Sequence, residues 1–196
     1  MIDPLVPVGD GHTGLADEDR DGLIPTYIAT RGELFEAEQR NIAQALLARA
    51  APSVEEVLDD LYLRTLHRAM FEQVWRWAGQ YRRTETNIGV DPTQIAVAVR
   101  VLGDDARTWN QSGAFEPDEL AIRFHHRLVA IHPFVNGNGR HGRVATDLLV
   151  SAMGRERFTW GAHLPVDTME LRSRYLRALR RADNVEIGDL LAFARA

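Results

Sequence analysis

The sequence predicts a mostly α-helical protein with one short β-hairpin, and three observations carry that expectation. Apolar residues recur at helical spacing along most of the chain, start and stop residues punctuate those runs, and only one stretch has β-like composition. A helical bundle bearing a small hairpin flap follows from them.

Residues 1–25 are rich in Gly, Pro and Asp, lack apolar periodicity and read as an N-terminal arm, with residues 26–196 forming one domain. The first helix is expected over 31–50, where Leu34, Ile42, Leu46 and Leu47 recur among Glu, Gln and Arg. Pro52 and Ser53 interrupt it. Ser53 and Glu56 have the spacing of a capping box for a second helix running toward Trp77, with Leu58, Leu61, Leu66, Met70, Phe71 and Val74 on its buried side and Gly79 as its stop. Arg82 to Asp91, RRTETNIGVD, sets threonines and an isoleucine beside a glycine and is expected to be the hairpin. After Pro92, QIAVAVRVLGDDARTW reads as a third helix, and Pro117 opens a fourth that ends near His132 and Pro133. A Gly/Asn loop then leads into a helix marked by Val144, Leu148, Leu149 and Met153 and stopped by Gly154. The last helix is expected from Asp167 to Asp183, followed by a short apolar tail.

Composition narrows the chemistry. With 196 residues and 45% hydrophobic content, the chain is large enough for one sizeable core, and the absence of a long apolar run or signal-peptide pattern gives a cytoplasmic expectation with no membrane partner. A net charge of −5 argues against direct nucleic-acid binding by bulk charge. There is no cysteine, so thiol chemistry is excluded. All 23 basic residues are arginines, which rules out Schiff bases and a P-loop lysine and leaves phosphate contacts to arginine and backbone N–H groups.

The run IHPFVNGNGRHGR joins a histidine at a helix end to a Gly/Asn loop and two arginines on the next helix. Gly137 and Gly139 permit close backbone approach to a phosphate, and the N-terminus of the following helix adds partial positive charge. Arg140 and Arg143, three residues apart, are neighbours on one helix face and suit a polyphosphate. His132, with an ordinary pKa of about 6.5, can accept a proton from an attacking hydroxyl.

His132, Phe134, Gly137, Asn138, Gly139, Arg140 and Arg143 closely resemble, in order and spacing, the signature of the Fic family (filamentation induced by cyclic AMP), H-x-F-x-[D/E]-G-N-G-R-x-x-R. WAGQYR, from Trp77 to Arg82, is similar to the WAG-x-x-R that precedes the family's target-binding hairpin, and YLRALRRADN resembles its final core helix. The combination of HPFVNGNGRHGR with WAGQYRRTETNIGVDP looks most like the bacterial branch called mobile mystery protein B.

The resemblance implies a Fic-type helical bundle with a core over about 54–196, acting as a protein adenylyltransferase that moves AMP from ATP to a Ser, Thr or Tyr hydroxyl of a target protein. His132 would be the general base and Phe134 a core anchor. The Gly137 to Gly139 backbone and the Asn138 side chain would hold the α- and β-phosphates, Arg140 would neutralise them and Arg143 would reach the γ-phosphate. Thr86, Asn87, Ile88 and Gly89 would form the flap that pairs with the target backbone. The sequence departs from the family at Asn136, where Asp or Glu would hold Mg²⁺, so weaker magnesium binding or a metal held mainly by the phosphates is expected. Gly139 excludes the branch in which lysine at that position accompanies phosphate transfer. The branch resemblance also suggests a small helix-turn-helix partner, as in a toxin and antitoxin pair. Many relatives carry an inhibitory helix whose glutamate pairs with the second arginine. Here Glu36 and Glu38 in the 31–50 helix are the candidates to reach Arg143.

Two patterns are decoys. Asp17, Asp19, Asp21 and Gly22 imitate half of an EF-hand loop, but the twelfth position is Ile28. His125, His126 and His132 lack metal-site spacing, and His125 reads as support for the loop. Tyr175 could stack on an adenine or simply pack in the core. The alternatives to AMP transfer are a degenerate Fic domain that binds nucleotide or a partner without chemistry, and a transferase using another nucleotide donor.

Overall fold

The computed structural model describes residues 21–47 and 50–196. Eight α-helices are described: α1 (Arg31–Leu47), α2 (Val54–Val57), α3 (Asp60–Phe71), α4 (Ile95–Ser112), α5 (Pro117–Ile131), α6 (Asn138–Ala152), α7 (Thr168–Ala182) and α8 (Gly188–Arg195). The mostly α expectation therefore holds, and most ends fall where local chemistry puts them. Ser53 and Glu56 form the expected capping box, Pro117 occupies the first turn of α5, and the Asp167 carboxylate caps α7 through the Glu170 N–H at 2.8 Å.

Three expectations are corrected. The second helix is broken: α2 lasts one turn, and Asp59 caps a fresh helix by accepting from the Tyr62 N–H at 3.1 Å. The restart shifts the helical phase, which leaves Leu61 on the outer face at 67% exposure, and α3 ends at Phe71, well short of Gly79. The apolar tail forms α8, whose Leu190 and Phe193 fill a cluster shared with α5 and α7. Its segment carries no side-chain N-cap, so packing against the bundle stabilises it.

The third correction concerns the hairpin. Among the described residues no β-strand forms, and Arg82 to Asp91 is an irregular loop. Its backbone is organised by a side chain instead. Arg82, 3% exposed, donates from Nε to the His132 carbonyl (2.8 Å) and from its two terminal nitrogens to the carbonyls of Thr84 (3.0 Å) and Val90. Carbonyls that would build a ladder are thus taken by a guanidinium fork.

The core has two clusters. One gathers residues of α1, α3 and α4 against α5 and α6; the other joins Ala121, Ile122 and Val150 to Phe158, Tyr175, Leu190 and Phe193. Helices α5 and α6 belong to both, so the loop between them is held from two sides. Of the N-terminal arm, residues 21–24 lie along 74–76, with an isolated bridge between Leu23 and Trp75. Residues 1–20 of the arm, including Asp17 and Asp19, lie outside the described residues.

Candidate active site

His132 is the C-cap of α5 and adopts a left-handed backbone, φ 53° and ψ 60°, which is uncommon for a residue with a side chain. Its carbonyl is held by Arg82 and its N–H by the Leu128 carbonyl at 3.2 Å, so the strained geometry is over-determined. The ring is mostly buried. Burial, aided by the positive charge of Arg82 and opposed by a hydrogen bond to the Val129 backbone, lowers the imidazole from 6.5 to about 4. At neutral pH it is an uncharged base.

The next residues are sewn to the turn that precedes the Arg82 loop. Tyr81 and Phe134 form an antiparallel bridge, and the Arg82 N–H donates to the Pro133 carbonyl at 3.0 Å. Phe134 is fully buried, stacked on His67 with ring centres 3.7 Å apart and edge-on to His141 at 5.0 Å. That burial stabilises the loop by about 2 kcal/mol. The Asn138 amide is spent on Phe134, accepting from its N–H (2.9 Å) and donating to its carbonyl (2.7 Å) at 3% exposure. It staples the turn and does not face outward. The Asn136 side-chain oxygen accepts from the Gly137 N–H at 2.5 Å.

Helix α6 begins at Asn138 with Gly137 as N-cap and no side-chain cap, so its first-turn N–H groups are uncovered by side chains. Arg140 and Arg143 part company here. Arg140 lies over the Phe71 ring, 5.0 Å from its centre, on the side covered by α1, and it donates to Glu38 at 2.7 Å. Glu38 is 5% exposed, and its other oxygen accepts from the Trp75 indole N–H at 2.8 Å. The expected reach of α1 to Arg143 is therefore corrected: Glu38 meets Arg140, while Glu36 is exposed. Arg143 points to α7 and lies over Tyr175, 5.5 Å from the ring centre. Tyr175 is buried against Phe193 and Arg143, which leaves no ring face for an adenine.

The Arg82 loop reaches the same place. Val90 N–H donates to the Ile131 carbonyl at 3.3 Å, and a Cβ on Gly89 (φ 117°) would meet the His132 Cβ at 2.8 Å. The loop backbone therefore runs against the histidine. Thr86 donates to the Ile88 carbonyl at 2.5 Å, Ile88 is half-buried, and Asn87 is exposed. Of the remaining histidines, His126 pairs with Asp183 at 2.8 Å and His125 is buried against Tyr175 and Thr146.

Sequence reasoning missed His67. Fully buried on α3, it accepts from the Gly79 N–H at 3.0 Å through Nδ1, so Nε2 carries the proton and donates to the Asn136 carbonyl at 3.0 Å. It ties the WAG turn to the signature loop. The available signal was its place on the apolar face with Leu63, Met70 and Phe71.

Residues 57–150 match the model of the Fic/DOC family. The chain is 32% identical over 121 residues to protein adenylyltransferase fic-1 of Caenorhabditis briggsae, covering 60% of this chain but only 22% of that protein. It is 36% identical over 109 residues to a Fido domain-containing protein of Dictyostelium discoideum, covering 54% of this chain and 71% of that protein. Among solved structures it is similar in fold to BepC of Bartonella tribocorum with bound AMPPNP (TM-score 0.68, 17% identity, 91% and 98% of the two chains). The N-terminal FIC domain of Bep8 from Bartonella sp. 1-1C is similar too (TM-score 0.69, 17% identity, 90% and 95%). With the signature running from the C-cap of α5 through the connecting loop into the first turns of α6, this chain belongs to the Fic/DOC family.

Proposed function

We propose that this chain is a protein adenylyltransferase that transfers AMP from ATP to a Ser, Thr or Tyr hydroxyl of a target protein. The observation that carries the reading is the pairing of a neutral, buried His132 with the uncapped N-terminus of α6, five residues on in one rigid loop. The names of the matched relatives support it, although this chain spans under a quarter of the length of the nematode proteins. In the proposed reaction His132 takes the proton of the target hydroxyl, whose oxygen attacks the α-phosphorus as pyrophosphate leaves. The N–H groups of Asn138 and Gly139 hold the phosphates while Gly137, whose N–H donates to Asn136, shapes the turn; Arg140 offsets the phosphate charge and Arg143 takes the terminal phosphate. Asn138 contributes by stapling the loop. Residues 86–89 guide the target backbone past His132, a role that does not require a preformed hairpin.

The chain's own donors fit a resident magnesium poorly. Asn136 brings a neutral amide oxygen already engaged with Gly137, and among the described residues no cluster of three His, Asp or Glu forms that would hold a metal. Mg²⁺ is accordingly proposed to arrive with the nucleotide. The same feature favours a second reading, a degenerate domain that binds nucleotide without transferring it.

Glu38 is proposed to restrain Arg140, and the branch resemblance supports a small helix-turn-helix partner. That partner would be detected as relief of growth arrest on co-expression. The direct test incubates the protein with α-labelled ATP, Mg²⁺ and bacterial lysate. Label on protein with wild type, none with His132→Ala and more with Glu38→Gln is the expected result. Tight ATP binding with no label from any variant would establish the degenerate reading.

A further inference from the structure

His67 meets the signature loop at a peptide that takes no direct part in the reaction. Its Nε2–H donates to the Asn136 carbonyl at 3.0 Å, and its Nδ1 accepts from the Gly79 N–H at 3.0 Å. Both partners are backbone groups with one role each, so they fix the tautomer without appeal to charge. The ring is fully buried, and stacking on Phe134 at 3.7 Å sets the plane in which its Nε2–H points. On the other edge of the same peptide, the Gly137 N–H donates to the Asn136 side-chain oxygen at 2.5 Å. The peptide between Asn136 and Gly137 is therefore clamped at both its carbonyl and its N–H.

Sterics alone would not hold it there. A flip of this peptide changes ψ of Asn136 and φ of Gly137, and glycine adopts positive and negative φ about equally. Gly137 sits at φ 78° and ψ 0°, whereas a helix N-cap ordinarily lies in the β region. The neighbouring units are pinned separately: the Asn138 amide holds both backbone groups of Phe134, and the Gly137 carbonyl accepts from the His141 N–H at 2.9 Å. The flip can thus occur with the rest of the turn in place. It would swing the Asn136 carbonyl out of the core, toward the first turn of α6 whose Asn138 and Gly139 N–H groups are to receive phosphate, and an oxygen there repels an anion. It would also strand the buried Nε2–H of His67, and that penalty opposes it.

We propose that His67 is a positioning residue for nucleotide binding: its Nε2–H holds the Asn136 carbonyl in the core and so keeps the 136–137 peptide from turning an oxygen into the phosphate-binding turn. The inference rests on the nucleotide-binding reading given above. His67 acts through that peptide and touches no reacting atom.

Two near-isosteres separate the two hydrogen bonds. The His67→Gln amide still donates to the Asn136 carbonyl but leaves Gly79 without its acceptor, and the His67→Asn oxygen still accepts from Gly79 but leaves the carbonyl without its donor. Both are expected to lower Tm, since each loses the Phe134 stack and one buried hydrogen bond. Only His67→Asn is expected to weaken AMPPNP binding by calorimetry, about tenfold, as when the competent orientation falls to about a tenth of the molecules. Gly137 amide exchange, followed by NMR, is expected to quicken in that variant and not in His67→Gln, because the flip breaks its bond to Asn136. Equal losses of affinity in both variants would show a purely structural role and overturn the proposal, as would wild-type affinity in His67→Asn. Histidine nitrogen shifts of the wild type need no variant: Nε2–H at His67 supports the lock, and Nδ1–H refutes it. Wild type that binds no AMPPNP removes the nucleotide reading and this inference together. Wild type that binds it, while the two variants match each other, removes this inference alone.

Discussion

Gly137 and Gly139 flank Asn138 in one short turn and do different work. Gly137 has φ 78°, and a Cβ there would fall 2.6 Å from the Phe71 ring, so a side chain is excluded by both backbone and packing. Gly139 has no positive φ, and a Cβ would meet nothing within 4 Å, so its glycine is not demanded by the fold. Gly137→Ala is therefore expected to destabilise the protein by about 1–3 kcal/mol. Gly139→Ala is expected to unfold within about 2 °C of wild type yet to lose most of its ATP affinity, because its methyl covers the first turn of α6. Thermal unfolding beside ATP titration separates the two, and similar behaviour of both variants would sink the distinction.

At the scale of elements, the Arg82 loop shows composition and tertiary contact pulling apart. Its threonines and isoleucine suit a strand, yet the buried guanidinium draws Thr84, Val90 and His132 around one centre. A lysine ammonium is compact and lacks the fork that spans three carbonyls. Arg82→Lys is expected to speed amide exchange in residues 83–90 by about tenfold or more, the loss of one net hydrogen bond to a charged group. Labelling of protein targets should fall further than ATP affinity does. Exchange mass spectrometry with the labelling assay checks both, and unchanged exchange would show that Arg82 does not organise the loop.

Across the whole molecule, buried neutral histidines bind its stability to pH. Burial lowers His132 and His141 to about 4 and His125 to about 3, and pushes His67 down as well. Unfolded, each returns to about 6.5. Their contribution is complete above that value and is lost as pH falls through the folded values, because the unfolded chain binds protons first. Asp147, raised to about 6 by burial, works the other way between about pH 6 and its unfolded value near 4. Four histidines outweigh one carboxyl, so Tm is expected to fall steadily from about pH 7 to pH 5, with each histidine withdrawing on the order of 2 kcal/mol by the lower limit. A flat Tm across that range would contradict the buried, neutral assignment.

The helices, their caps and the signature loop were legible in the sequence because each depends on residues within a few positions of one another: Ser53 with Glu56, Pro117 after Glu116, and His132 through Arg143. The break at Asp59, the helical state of 188–195, the clamp of Arg82 on the loop, the link from His67 to Asn136 and the pairing of Glu38 with Arg140 were decided only by tertiary structure. Each joins residues distant in sequence or follows from which face of a helix meets a neighbour. Local spacing specifies which face of a helix is apolar, but a polar side chain finds its partner only once the helices have packed.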